Sequence, residues 1–355
     1  MSRFLNRAYA SLDVYTPGEQ PKDMQYIKLN TNESPYPPSD GVIKAISEGE
    51  IEKLRLYSDP ECADLRDAIA ELYGVKRKNV FVSNGSDDIL NFSFMAFAGR
   101  EGRAVFPDIT YGFYKVFSEL HGVKYETKPL RDDFTIDPDD YKNTGCLTVI
   151  ANPNAPTGKY LGLDIIEDIL CSNKDSVLLV DEAYIDFGGE SAVSLTKKYE
   201  NLLVVGTFSK SRSLAGARLG FAIANEELIA DLDRIKYSTN PYNVNRLTLL
   251  AGRAAILDDA YYKENCKKII KAREYTESEL KKRGFEVTDS LANFVFAKSD
   301  RISGETLYLE LKKRGILVRH FTSEKIAQYN RITVGTESEM KKLIETIDII
   351  LGGMK

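Results

Sequence analysis

The sequence predicts an α/β protein: a large domain with a mostly parallel sheet between helices, and a smaller α+β domain after it. Two observations predict this. Between Val80 and Ala222, short apolar runs alternate with helical patterns. Several of these runs lack polar alternation, as strands covered on both faces do, and strands alternating with helices argue for βαβ units. After about Asn240 the character changes to a long helical zone followed by mixed strand-like and helical segments. The 355 residues suit two domains of ordinary size.

Residues 1–40 carry Pro17, Gly18, Pro35, Pro37 and Pro38 and read as a turn-rich arm that packs with the small domain or a partner subunit. The large domain is read as 41–240. Its first clear helix follows Ser58-Asp59-Pro60, with Asp59 suited to the N-cap and Pro60 to the first helical position. Leu65, Ala68, Ile69 and Leu72 form its apolar stripe, and Gly74 suits a left-handed end. Strand candidates are Val80–Val82, Ala104–Phe106, Leu147–Ala151, Val177–Val180, Leu202–Val205 and Leu219–Ala222. The small domain is read as 241–355. Helical pattern covers Val244 to Arg283, and Gly284 ends it. Strands follow at Phe285–Thr288, Asn293–Ala297, Ile316–Arg319 and Arg331–Val334, with a helix near Glu305–Arg314. Thr336 and Glu339 form a capping box for a last helix that buries Met340, Leu343, Ile344, Ile347 and Leu351.

Composition narrows the function. The net charge is −5 with no Lys/Arg block, which argues against a nucleic-acid partner. No apolar run reaches the length of a membrane span, and Arg3, Arg7 and Asp13 interrupt the residues ahead of Asn30, unlike a signal peptide. Cys62, Cys146, Cys171 and Cys266 form no C-x-x-C pair and read as reduced, mostly buried thiols of a cytoplasmic protein. With only His121 and His320, and no H-x-x-x-H, neither a metal site nor a Ser-His-Asp triad is expected.

Five strand-like runs each end in a residue with chemical potential. Lys210, in Ser209-Lys210-Ser211, leaves the end of Leu202–Val205, where open α/β sheets place ligands. A desolvated lysine can form an imine, although a solvated loop lysine is the commoner case. Asp181, after Val177–Val180, could pair with a protonated ring nitrogen, and Tyr184 could bond an oxygen of the same ring. Otherwise Asp181 is an ordinary strand-end acid. Gly85-Ser86-Asp87 turns into a helix and offers free N–H groups to a phosphate, while Asp87 is also a normal first-turn residue. Asn154, in Asn152-Pro153-Asn154-Ala155-Pro156-Thr157-Gly158, could present an amide or merely make a turn. Tyr111 could stack on a flat ring or fill the core. Together the five describe one molecule: imine lysine, nitrogen acid, phosphate cradle, oxygen donor and stacking ring.

These motifs resemble fold-type I pyridoxal-phosphate transferases, and among them the histidinol-phosphate aminotransferases, almost from end to end. The likeness includes Leu29-Asn30-Thr31-Asn32-Glu33-Ser34-Pro35-Tyr36-Pro37-Pro38, Tyr57 ahead of Leu65-Arg66, and Asp181-Glu182-Ala183-Tyr184. It continues with Ser209-Lys210 and Arg218, Gly315-Ile316-Leu317-Val318-Arg319, and Arg331-Ile332-Thr333-Val334-Gly335-Thr336.

The resemblance implies pyridoxal 5'-phosphate as cofactor, with Lys210 as the imine lysine and proton shuttle, Asp181 on the pyridine nitrogen, Tyr184 on the ring oxygen and Tyr111 stacked on the ring. Ser86 with its neighbours, Ser209 and Arg218 would hold the phosphate. Tyr57 would reach that phosphate from the other subunit, so a homodimer is implied. Arg331 and Arg319 would bind substrate carboxylate or phosphate, and Tyr15 would line the substrate site. The implied reaction is transamination between histidinol phosphate and 2-oxoglutarate in histidine biosynthesis. One departure stands out: family members often carry Asn where this chain has Ala155, which leaves the amide contact to Asn154 or more of it to Tyr184.

Other readings remain on the same scaffold, namely an aromatic aminotransferase or a threonine-phosphate decarboxylase. A nicotinamide dehydrogenase would show a similar α/β alternation, but no G-x-G-x-x-G follows a strand. A non-catalytic cofactor-binding regulator would need a basic nucleic-acid module, and none is visible.

Overall fold

The computed structural model describes residues 5, 9, 12, 15–46, 48–98 and 102–353. Arg3, Arg7 and Asp13 lie outside the described residues. Among the described residues twelve strands form two sheets. In chain order they are β1 (Ile27–Leu29), β2 (Val80–Ser83), β3 (Arg103–Pro107), β4 (Lys124–Lys128), β5 (Leu147–Ala151), β6 (Leu178–Asp181), β7 (Leu202–Thr207), β8 (Gly220–Ala224), β9 (Phe285–Val287), β10 (Phe294–Ser299), β11 (Ile316–His320) and β12 (Asn330–Thr333).

The large sheet has the order β2-β8-β7-β6-β5-β3-β4. Only β8 runs against the rest, antiparallel to both β7 and β2. The six other strands share one direction, so their carboxyl ends share one edge. β2, β5, β6, β7 and β8 are buried at every residue, as the unbroken apolar runs require for a sheet covered on both faces. One core, including Val80, Val180, Val204 and Ile223, lies under the helix Ala63–Tyr73, and another, including Phe81, Leu179 and Ala222, lies on the opposite face.

The small sheet has the order β1-β11-β12-β10-β9. The arm supplies its edge strand: β1 pairs in parallel with β11, with Lys28 opposite Leu317. Its core joins Val295, Ile316 and Ile332 to Leu343, Ile344 and Ile347 of the helix Glu337–Gly352. The capping box of that helix is present: Thr336 Oγ1 accepts from the Glu339 N–H, and Glu339 accepts from the Thr336 N–H.

Four expectations need correction. The helix after Asp59 starts at Ala63, not Pro60, because Cys62 sits at φ 52°, outside helical geometry. Asp59 still accepts from the Glu61 and Ala63 N–H groups. The helix Arg246–Leu257 packs into the large core through Ala251, Ala255 and Ile256, so the change of composition near Asn240 precedes the change of core. The helical zone is also two helices, with a break at Asp258 before Asp259–Lys282. Of the cysteines, Cys62 and Cys266 are buried, Cys146 is half-buried and Cys171 is exposed. No described helix is long and apolar enough to cross a membrane.

Candidate active site

The cavity of about 390 Å³ at the carboxyl edge of the large sheet is lined by Ser86, Asp87, Tyr111, Asp181, Tyr184, Ser209, Lys210 and Arg218. Its size is in the range of small-molecule sites. Each wall follows from a strand end. β6 ends on Asp181, and β7 leads to Ser209 and Lys210. The chain then turns back through Leu219, whose carbonyl accepts from the Phe208 N–H at 3.0 Å, and enters β8 beside β7. That return brings Arg218 to the same cavity as Lys210, and Arg218 takes φ 53° to make it.

β2 leads through Gly85, at φ 85°, into the helix Ser86–Ser93, whose first turn has no side-chain cap. A Cβ at Gly220 would fall 2.4 Å from the Ser86 nitrogen. Only glycine therefore lets this backbone approach the helix start so closely. The helix N-terminus favours negative charge.

Asp181 is buried at 6 % exposure. Its carboxylate accepts from Tyr114 Oη at 2.8 Å and from the Ala183 N–H at 3.2 Å. Burial pushes this carboxyl up to about 6, while the two hydrogen bonds pull it down. Lys210 Nζ donates to the Thr31 carbonyl at 3.2 Å and lies 5.7 Å from the centre of the Tyr184 ring. Tyr111 donates to Asp87 Oδ1 at 2.7 Å, and Arg218 donates to Asp87 Oδ2 at 2.8 Å. The Tyr111 phenol is held well above its ordinary range, by burial first and then by Asp87. The neighbouring Glu182 is also buried, and its carboxyl is pushed up to about 8 by burial.

The residues expected to meet substrate, Tyr15, Arg319 and Arg331, stand next to this group. Tyr15 stacks on Phe113 with ring centres 4.2 Å apart and meets Tyr111 edge-on at 6.4 Å. Arg331 donates to the Asn30 carbonyl at 3.0 Å and lies 5.5 Å from the Phe294 ring, which in turn meets Tyr184 edge-on. Its buried Nε has no partner among the described residues. Arg319 donates to the Thr16 and Pro17 carbonyls, at 3.3 and 3.4 Å.

Gly85, Tyr15, Arg319 and Arg331 stand outside the cavity's lining, and Asn154 and Tyr57 are engaged elsewhere. The Asn154 amide is fully engaged, by its own turn and by the loop after β3: it donates to the Ile109 carbonyl and Thr157 Oγ1 and accepts from Thr110 Oγ1. It has no hydrogen left for a ring oxygen, so the contact carried over to Asn154 does not hold. Tyr57 is 82 % exposed and stacks on Tyr242 with centres 4.6 Å apart, away from this chain's own cavity.

Sequence reasoning assigned no role to Thr31, Asn32, Glu33, Gln20 or Tyr114. Thr31, Glu33 and Gln20 line the cavity, and Asn32 donates to the Tyr184 hydroxyl. Thr31, Asn32 and Glu33 lay inside the motif Leu29–Pro38. Tyr114 had no signal of its own: it stands on the helix Phe113–His121, and Tyr111 lies before that helix.

The sequence profile of the class I and II aminotransferases matches residues 24–347. The histidinol-phosphate aminotransferase of Brachyspira hyodysenteriae is 55% identical over 99% of this chain and 99% of its own. The chain belongs to the class I and II aminotransferases, in the histidinol-phosphate aminotransferase family. Among solved structures, the histidinol-phosphate aminotransferase of Clostridium acetobutylicum superposes with TM-score 0.84 at 26% identity, covering 92% of this chain and 99% of that one. The enzyme of that name from Sinorhizobium meliloti, solved in complex with pyridoxal-5'-phosphate, has TM-score 0.84 at 23% identity, with 93% of this chain and 92% of that one covered. The overall shape of the chain is therefore that of fold-type I aminotransferases.

Proposed function

We propose that this enzyme exchanges an amino group between histidinol phosphate and 2-oxoglutarate, in histidine biosynthesis, with pyridoxal 5'-phosphate attached to Lys210. The observation that carries the reading is the meeting of the Lys210 amine and the buried Asp181 carboxylate in one cavity, from neighbouring strands β6 and β7. The cavity also fits the cofactor's phosphate. The uncapped helix start at Ser86, the close approach at Gly220, and Ser209 with Arg218 form an anion cradle at one end.

When bound, the cofactor supplies an electron sink that lets a proton leave the carbon bearing the amine. The chain supplies the rest. Asp181 keeps the ring nitrogen protonated from a site with little water. Tyr111 would cover one face of the ring, and Tyr184 would meet its oxygen. Lys210 would hold the cofactor and, with its amine free, would be the group that moves the proton, so no histidine would be needed. Arg331 and Arg319 take the substrate's anionic groups. Tyr57 reaches the phosphate of the partner subunit's site, and the active form is a homodimer.

Borohydride reduction tests the reading. It should bleach the visible absorption of the bound cofactor and label the peptide carrying Lys210. A label on another residue, or none, sinks the assignment. Parallel assays with histidinol phosphate, phenylalanine and threonine phosphate then separate this substrate from those of the aromatic aminotransferases and the threonine-phosphate decarboxylases.

A further inference from the structure

We infer that Asn32 is a positioning residue that fixes the direction of the Tyr184 hydroxyl hydrogen, making that phenol a dedicated donor toward the cavity. The inference rests on the cofactor reading above and adds how the cofactor's ring oxygen is met.

The hydrogen bonds run in one direction, from Thr333 through Asn32 to Tyr184. Thr333 Oγ1 accepts from the Asn32 backbone N–H at 2.9 Å, and it also lies 2.9 Å from Asn32 Oδ1. A hydroxyl has one hydrogen. The Thr333 oxygen accepts from the backbone N–H and gives its own hydrogen to Asn32 Oδ1. With Oδ1 on the Thr333 hydroxyl, the nitrogen end of the amide faces Tyr184. Asn32 Nδ2 is thereby aimed at Tyr184 Oη, 3.0 Å away. An amide nitrogen donates and does not accept, so the phenol oxygen is the acceptor here. Its own hydrogen must point elsewhere. Among the described residues no protein group accepts it, and Tyr184 lines the cavity.

Asn32 is held firmly enough to do this. It is 1 % exposed, and its carbonyl accepts from Asn293 Nδ2 at 3.0 Å. It takes φ 56°, a left-handed conformation that asparagine tolerates better than most residues. The residue is bolted to the small sheet while its amide reaches the turn after β6. On the same cavity wall Ala155 offers only a methyl group, and the Asn154 amide is engaged elsewhere. The hydrogen of Tyr184 is then the donor available for an oxygen on that side of the ring. A hydrogen bond to an ionised ring oxygen favours the ionised form.

The test is a double-mutant cycle read by the visible absorption of the bound cofactor as a function of pH. Asn32→Asp keeps the size and the Thr333 contact but turns the donor into an acceptor, which draws the Tyr184 hydrogen away from the cavity. Its added charge raises the midpoint of the titration in any background. The directed hydrogen adds an excess only where Tyr184 is present. That excess over the Tyr184→Phe background should be about one to two pH units, the worth of a hydrogen bond to a charged group. Asn32→Ala, which is neutral, should give an excess of the same sign and serves if the aspartate variant folds poorly. Equal shifts in the two backgrounds overturn the inference. Borohydride labelling of Lys210 in each variant keeps the two readings apart, since its failure in the unaltered chain overturns the cofactor reading instead.

Discussion

Arg319 and Arg331 face each other directly across the antiparallel pair of β11 and β12. Like charges opposite one another on neighbouring strands destabilise the sheet. Burial also depresses the Arg331 guanidinium below its ordinary range, and Arg319 lowers it further. Two cations placed together are relieved by an anion between them. Losing one partner of such a charge contact costs 2 to 5 kcal/mol, so Arg331→Ala should raise KM for histidinol phosphate by about 30-fold or more. Steady-state kinetics decide this, and a KM within about threefold of the unaltered enzyme would contradict the assignment.

Asp181 lies at the other end of the same chemistry. Removing one member of a buried ion pair costs about 3–5 kcal/mol, which corresponds to roughly two to four decades in rate if it falls on the transition state. Asp181→Ala should therefore bind cofactor weakly and be nearly inactive. The carboxyl, pushed up to about 6 by burial, loses its charge as pH falls below that value. Cofactor affinity of the unaltered apoprotein should decline below about pH 6, and that of Asp181→Asn should not follow it. Titration by fluorescence or absorption checks both.

Glu182 makes a prediction about stability. Its folded value, about 8, lies above the ordinary 4.5, so between these the folded chain binds more protons than the unfolded one. Stability must then fall as pH rises through that window, with the full penalty present above about 8. The penalty is on the order of a few kcal/mol. Glutamine can accept from the Ala192 N–H and turn its amide to Ser191 Oγ, the two partners Glu182 has now. Glu182→Gln should flatten the decline of apoprotein Tm from pH 5 to 9. An unchanged slope in thermal melts would refute this.

How much of this was legible in the sequence depended on where each residue got its stability. β5, β6 and β7 were legible because their runs are apolar at each position and buried on both faces. β4 was not: Lys124–Lys128 is an edge strand, mostly exposed, paired only with β3. Lysines protect such an edge but give no apolar signal. β1 was missed because its three residues are a strand only through pairing with β11, almost 290 residues away in the chain. In the site, Asp181, Lys210, Ser86 and Tyr111 were readable because a strand end fixes where the next side chain points. Asn154 was misassigned because the partners that engage its amide, Ile109 and Thr110, come from the loop after β3. Asn32 escaped notice for a similar reason, its direction being set by Thr333.

The last prediction concerns Tyr57, whose ring is 82 % exposed beside the exposed side chains of Ile51, Leu54 and Leu56. An apolar group of this kind suits a two-fold interface, in which the same patch serves both subunits. If Tyr57 acts in the partner's site, a Lys210→Ala chain still has a sound Tyr57 to lend. A Tyr57→Ala chain still has a sound Lys210. Neither homodimer contains a complete site. The mixed dimer contains one complete site and one doubly defective one. Random pairing of equal amounts makes half the dimers mixed, so refolding the two together should restore about a quarter of the unaltered activity. If Tyr57 acts within its own chain, mixing yields no complete site, and activity stays at the average of the two parents. Activity measured before and after co-refolding, with the dimer confirmed by sedimentation, separates these outcomes.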